Sequence, residues 1–235
     1  MRLLIKFPSR SRPTKLLEGV AKYVDFAEDM SRTRILITLD ADDTTVTEEL
    51  KQKLLGIHPN ISLDIGFSAG KIDAINRGVP DPSTFDILLL ASDDMIPEVK
   101  GYDQIIRSKM AQFYPDTDGV LFFNDGFNKH ELNTILICGS KYYRRFGYLY
   151  YPEYKSLFCD NEFQIMANTL RRQKYFPEII IRHEHPHINP SVELDELYHK
   201  NNKYFYEDEA LFIKRSKMFV PKTLRMPTVK IRLGM

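Results

Sequence analysis

Tryptophan is absent from this 235-residue chain, and cysteine is confined to Cys138 and Cys159. Two cysteines cannot build a disulfide-dense secreted scaffold, so a reducing, cytoplasmic setting with free thiols is expected. Long hydrophobic runs are missing as well. The longest, around Ile87–Ala91, is far short of the roughly 20 apolar residues of a membrane-crossing helix. Met1–Phe7 is too short and too charged for a secretory signal. Neither sign of charge is in excess: Lys+Arg is 33 against Asp+Glu 32, a formal net charge of +1. That balance excludes a protein that coats nucleic acid through a large basic surplus. Internal repeats and low-complexity tracts are also lacking. What the chain does have is 43% hydrophobic residues, with 13 Tyr and 15 Phe to supply bulk. This suits one packed domain, or one domain with a short appendage.

The amino-terminal part alternates strand-like and helix-like patterns. Leu3–Phe7 reads as a buried strand that ends in the loop Pro8–Pro13. Leu16, Leu17, Val20, Ala21 and Val24 recur at helical spacing. Arg34–Leu39 is a second strand with the polar end Asp40–Asp43, and Thr47 is placed to cap a helix bearing Leu50 and Leu54. Ile61, Leu63, Ile65 and Phe67 alternate with a period of two, a third strand. A short helix over Gly70–Arg77 and a buried strand over Phe85–Ala91 follow. This order predicts an α/β fold with a mostly parallel central sheet and helices on both faces. Ligands then bind beyond the carboxyl ends of the strands. Those ends are Pro8–Pro13, Asp40–Asp43, Ser68–Lys71 and Ser92–Asp94, all polar.

The second half is less regular. Gly119–Asn124, Thr134–Cys138 and Ile179–Ile181 read as strands, and Asp160–Arg172 as a helix with Phe163, Met166 and Leu170 on one face. Lys141–Tyr154 is dense in tyrosine, which suits either core packing or a sugar-stacking surface. From Leu211 onward there are seven Lys/Arg and no Asp or Glu. Such a tail reads as a solvated or oligomer-contact segment, or as a peripheral contact with anionic lipid.

Four constellations carry chemistry. Asp93 and Asp94 end an apolar strand, where paired carboxylates need solvent or a hard cation; both a solvated turn and a Mg²⁺ or Mn²⁺ site fit. His183, His185 and His187 alternate after another strand and read either as a polar loop or as metal ligands. Lys71 opens a helix after Ser68-Ala69-Gly70, as an ordinary solvated lysine or as a phosphate contact; the spacing is not that of a Walker loop. Asp160 stands at a helix start, as a cap or as a general base.

Taken in order, these segments resemble a glycosyltransferase of the GT-A fold, most similar to the family 2 type, over approximately Leu3 to Pro190. Pro8-Ser9-Arg10-Ser11-Arg12-Pro13 has the Pro-x-x-x-Arg-Pro character of the family's first loop. Leu39-Asp40 matches the strand whose Asp reads the nucleotide base. Gly70-Lys71-Ile72-Asp73-Ala74-Ile75-Asn76-Arg77-Gly78 matches Gly-Lys-x-x-Ala-x-Asn-x-Gly. Asp93-Asp94 matches the metal motif, which often reads Asp-x-Asp-Asp where this chain has Ala91-Ser92-Asp93-Asp94, so its first acid is missing. Cys159-Asp160-Asn161-Glu162 stands where the catalytic-base motif reads Glu-Asp.

The resemblance implies transfer of a sugar from a nucleotide diphosphate sugar, UDP being the expected nucleotide, to a glycan or other hydroxyl acceptor with inversion. It implies Mn²⁺ or Mg²⁺ on Asp94 with His185, or else His183, and Asp93 in support. Pro8, Arg10, Arg12, Asp40, Lys71 and Asn76 join Asp93 as donor-binding residues. Asp160 is the implied base, with Glu162 as the fallback. Residues 1–199 would form the catalytic domain, with a donor half to about residue 100, and 200–235 a basic extension. Rival readings are a nucleotidyltransferase, disfavoured by the glycine-free first loop, a donor-binding protein of the same fold without turnover, and a zinc hydrolase built on the histidines.

Overall fold

A computed structural model of the chain describes residues 1–184 and 203–219. Seven strands form one sheet in the order β3-β2-β1-β4-β7-β6-β8. They are β1 (Leu3–Ser9), β2 (Thr33–Asp40), β3 (Ile61–Gly66), β4 (Ile87–Leu90), β6 (Val120–Phe123), β7 (Ile137–Gly139) and β8 (Gln173–Phe176). A separate two-stranded ribbon pairs β5 (Met95–Pro97) with β9 (Ile181–His183). The helices are α1 (Pro13–Phe26), α2 (Glu48–Ile57), α3 (Lys71–Asn76), α4 (Tyr102–Phe113), α5 (Ser140–Arg144), α6 (Cys159–Thr169) and α7 (Phe205–Phe219).

Strands β3, β2, β1 and β4 run parallel, as the alternating β-α order requires. Only β7 runs against its neighbours β4 and β6. All four residues of β4 are buried, as expected of a strand covered on both faces. The side-chain period of two divides the core into two layers. Leu3, Ile5 and Phe7 of β1 join Ile35, Ile37, Ile87 and Leu89 under α1, α2 and α4. Leu4, Leu36, Leu88 and Leu90 face the other way, against Ile72 and Ile75 of α3, Tyr142 of α5, Ala167 of α6 and Phe212 of α7. Fully burying one such aliphatic side chain contributes about 1.5–3 kcal/mol.

The structure decides between some sequence expectations and changes others. Tyr142, Tyr143, Tyr150 and Tyr154 are buried, so most of the tyrosine-rich segment is core. Helix α6 buries Cys159, Glu162 and Ala167 rather than a Phe163–Met166–Leu170 stripe, and Leu170 is exposed. The reason is α7, which brings a cation, Arg215, against that face and lets a glutamate stay inside. Residues 211–219, counted with the basic tail, belong to α7. Its Phe212 lies in the core and its Ile213 and Met218 are exposed. His185, His187 and the basic residues beyond 219 lie outside the described residues. No helix among the described residues is long and apolar enough to cross a membrane.

Candidate active site

The carboxyl ends of β1, β2, β3 and β4 open on the same edge of the sheet, and the strand order reverses between β1 and β4, where a doubly wound sheet leaves a crevice. Beyond β1 the chain turns at Ser11, which takes a left-handed backbone (φ 59°) and donates its amide to Asp43. That turn throws Arg10 and Arg12 in two directions. Arg10 forks onto both oxygens of Asp42 (2.7 and 3.0 Å) and also reaches Asp40 at 2.9 Å. The other oxygen of buried Asp40 has no hydrogen-bond partner among the described residues, and Arg77 Nη1 stands 3.6 Å from it. Half-buried Pro8 precedes this turn in β1.

Arg77 escaped the sequence reading, although it lies inside the Gly70–Gly78 segment. It donates to Asp64, Ser68 Oγ and the Leu39 carbonyl, and so ties the ends of β2 and β3 to the end of α3. A variable position within a matched segment gave no signal. The cue was the set of aspartates on the neighbouring strand ends.

Arg12 turns toward β4 and pairs with Asp93 at 3.0 Å. Burial raises the Asp93 carboxyl above its ordinary range, although Arg12 opposes the shift. Asp94 accepts a hydrogen bond from Ser92, and its Oδ2 lies 3.7 Å from His183 Nε2. The β5–β9 ribbon makes this meeting: Met95 pairs with His183 in the ladder, and the Glu184 amide donates to the Asp94 carbonyl at 2.7 Å. Burial alone would raise the Asp94 carboxyl and lower the His183 imidazolium. Their mutual attraction reverses both, holding Asp94 well below the usual range and His183 above it.

Exposed Lys71 is the first residue of α3 and has no ion-pair partner among the described residues. Its charge acts on Asp94, Asp160 and His183. Asp160 sits in the first turn of α6, not at its cap, which is Phe158. Its carboxylate accepts from the Asn161 amide, and burial raises its pKa. Lys71 and His183 thus each lie within electrostatic reach of both Asp94 and Asp160, which come from separate segments of the chain.

Two expected site residues are otherwise engaged. Asn76 spends its amide on the backbone of Leu149 and Tyr150, clamping α3 to the loop before α6. Glu162 accepts a bidentate pair from Arg215 and a hydroxyl from Tyr154 in a buried position.

Among the described residues no group of three or more His, Cys, Asp or Glu side chains is placed to hold a metal ion. Asp94 and His183 do offer one oxygen and one nitrogen donor side by side. The carboxylate suits Mg²⁺ or Mn²⁺ and the imidazole is a donor more usual for transition metals, with substrate phosphates and water left to complete the shell.

No protein-family model matches the chain, and no curated protein matches it in sequence. Solved structures do. The mannosyltransferase PcManGT from Pyrobaculum calidifontis, in complex with GDP-Man and Mn²⁺, aligns over 94% of this chain with a TM-score of 0.70 and 11% identity. This chain spans 65% of the mannosyltransferase chain. S. aureus TarS 1-349 aligns over 93% of this chain and 72% of its own, with a TM-score of 0.57 and 14% identity. Its complex with UDP-GlcNAc gives a TM-score of 0.57, 13% identity and coverage of 93% and 73%. The chain thus has the fold of the GT-A-like glycosyltransferases.

Proposed function

We propose that the chain is a glycosyltransferase of the inverting, nucleotide-sugar-dependent kind. The observation that carries this reading is the convergence of Asp94, His183, Lys71 and Asp160 at the carboxyl end of a GT-A-like sheet. In this reading Pro8, Arg10 and Asp40 form the nucleobase pocket, and the unpartnered oxygen of Asp40 accepts a hydrogen bond from the base. Lys71 takes the diphosphate charge. Arg12 holds Asp93 against the site wall, so that Asp94 keeps its place beside His183. A Mn²⁺ or Mg²⁺ ion, when held by Asp94 and His183, supplies electrostatic stabilisation of the leaving diphosphate. Asp160 receives the proton of the acceptor hydroxyl as the anomeric bond forms; its raised pKa suits a base. Glu162, held by Arg215 and Tyr154, supports α6 instead. Asn76 acts on the placement of α3 and hence of Lys71.

A screen of UDP-, GDP- and dTDP-sugars, each with Mn²⁺, Mg²⁺ or EDTA, tests the reading through thermal stability and nucleoside diphosphate release. A bound donor raises stability by RT ln(1 + [L]/Kd), about 2.7 kcal/mol at a hundredfold excess over Kd. Metal-dependent stabilisation by one donor, with slow release of its nucleoside diphosphate, is expected. No shift with any donor would overturn it. The replacement of the first acid by Ala91 favours a second reading, a donor-binding protein without turnover. That reading requires the same stabilisation with no donor consumed.

A further inference from the structure

Helix α7 grips the segment that delivers Asp160, and it does so with one face. Phe205, Asp208, Phe212 and Arg215 follow one another at intervals of three, four and three residues, a single helical stripe. Each touches the stretch between Tyr151 and Glu162. The fully buried Asp208 carboxylate accepts three successive backbone amides, those of Lys155, Ser156 and Leu157, each at 2.8 Å. Phe158 follows, with a left-handed backbone (φ 61°) that a bulky side chain adopts only under constraint. Its ring is stacked on Phe212 and meets Phe205 edge-on, with centroids 5.7 and 5.2 Å away. Arg215 then forks onto both oxygens of Glu162, 2.7 Å each, and lies over the Tyr151 ring. Tyr154 donates to the same glutamate at 2.8 Å.

A stripe of α7 therefore fixes the residues on both sides of Asp160. Asp160 itself feels the charges of Lys71 and His183 across the site. A helix needed only to cover apolar surface would show an apolar stripe. This one carries a buried aspartate that caps three amides and a half-buried arginine that holds a carboxylate two residues beyond Asp160. Both are polar contacts with strict geometry.

We propose that α7 is a latch that sets the position of Asp160, with Asp208 and Arg215 as positioning residues. The proposal rests on the reading of Asp160 as the base. Misplacing a reacting group by an ångström costs on the order of 10²-fold in rate, so loosening the latch lowers turnover while donor binding, made by other segments, persists.

The test compares wild type with Asp208→Asn, Arg215→Ala and the milder Arg215→Lys. The substrates are GDP-mannose and UDP-GlcNAc with Mn²⁺, and nucleoside diphosphate release is measured. In both Asp208→Asn and Arg215→Ala, kcat is expected to fall at least tenfold with KM for the donor within twofold of wild type. Arg215→Lys, which keeps one charge-assisted bond, should recover part of the loss. Amide hydrogen exchange should accelerate at 154–162 and stay unchanged in β1 and β4. Unchanged kcat, or exchange that accelerates equally in the central strands, overturns the latch, since the helix is then packing alone. A wild-type protein inert toward both donors overturns the transferase reading for them and this inference with it. An active wild type whose Asp208→Asn variant keeps its kcat overturns only the inference.

Discussion

At the scale of single residues, the site separates carboxylates by what surrounds them. Asp94 lies against His183 and stays ionised, whereas Asp160 is raised by burial with Lys71 only partly opposing it. Two acids in one site thus suit two tasks, one holding charge and one taking a proton. Replacing Asp160 with Asn keeps the shape and removes the proton acceptor. Donor turnover should fall by about 10² to 10⁴, with donor binding retained. Calorimetric titration with UDP or GDP beside a turnover assay checks both halves, and turnover that survives would leave Asp160 as an ordinary first-turn residue. Asp94→Ala removes the oxygen of the proposed metal pair. The rise in melting temperature produced by a nucleoside diphosphate with Mn²⁺ over EDTA should vanish in that variant and shrink in His183→Ala. A metal-dependent shift of wild-type size in Asp94→Ala would move the ion elsewhere.

Elements differ in how much of them the sequence reveals. The strands β1 to β4 and the helices between them follow from local pattern: β1 and β4 are short apolar runs, β3 alternates with a period of two, α1 repeats at helical spacing, and polar breaks separate them. Thr47 caps α2 as its residue type predicts, accepting the Leu50 amide. The β5–β9 ribbon is different. Its strands are three residues each, one ends in Pro97, and their pairing joins distant segments, so no local pattern announces the contact that sets His183 beside Asp94. The pairing of Arg215 with Glu162 is hidden for the same reason: the two stand 53 positions apart, and Arg215 lies in a helix whose later residues read from sequence as part of a basic tail. The candidate residues were thus named one by one, apart from Arg77, while their partners depended on tertiary pairing. Gly139, at the end of β7, shows such a constraint at its sharpest. A Cβ there would stand 2.0 Å from the Thr117 carbonyl oxygen, a backbone atom that cannot swing aside. Gly139→Ala should destabilise the protein by about 1–3 kcal/mol, the usual cost of overpacking. Urea unfolding would show this as a lower midpoint at constant slope, and an unchanged midpoint would mean that the β7–α5 junction yields easily.

For the molecule as a whole, the most exacting buried group is Lys6 in the centre of β1. It is wholly inaccessible, on the face shared with Leu4, and it donates to Thr38 Oγ1 and the Arg77 carbonyl beneath the carboxyl end of the sheet. Burial lowers its pKa from 10.5 to about 8, with Asp64 opposing the shift and Arg77 adding to it. The folded protein therefore releases this proton near pH 8, whereas the unfolded chain keeps it to about pH 10.5. Between those values the unfolded state binds more protons, so the Lys6 contribution to stability increases with pH across the window and is at its least below pH 8. The full excursion is about 3 kcal/mol, at 1.36 kcal/mol per pKa unit. Lys6→Met removes the titration and leaves the two acceptors without their donor, a penalty that does not vary with pH in this range. The difference in unfolding free energy, wild type minus Lys6→Met, should accordingly rise between pH 7.5 and pH 10.5. Urea denaturation of both proteins at a series of pH values measures it. A flat difference would mean that Lys6 stays charged throughout and that its hydrogen bonds alone compensate its burial. A rising one identifies the floor beneath the carboxyl end of the sheet as a place where the fold tolerates a costly buried cation to hold β2 and the end of α3 together.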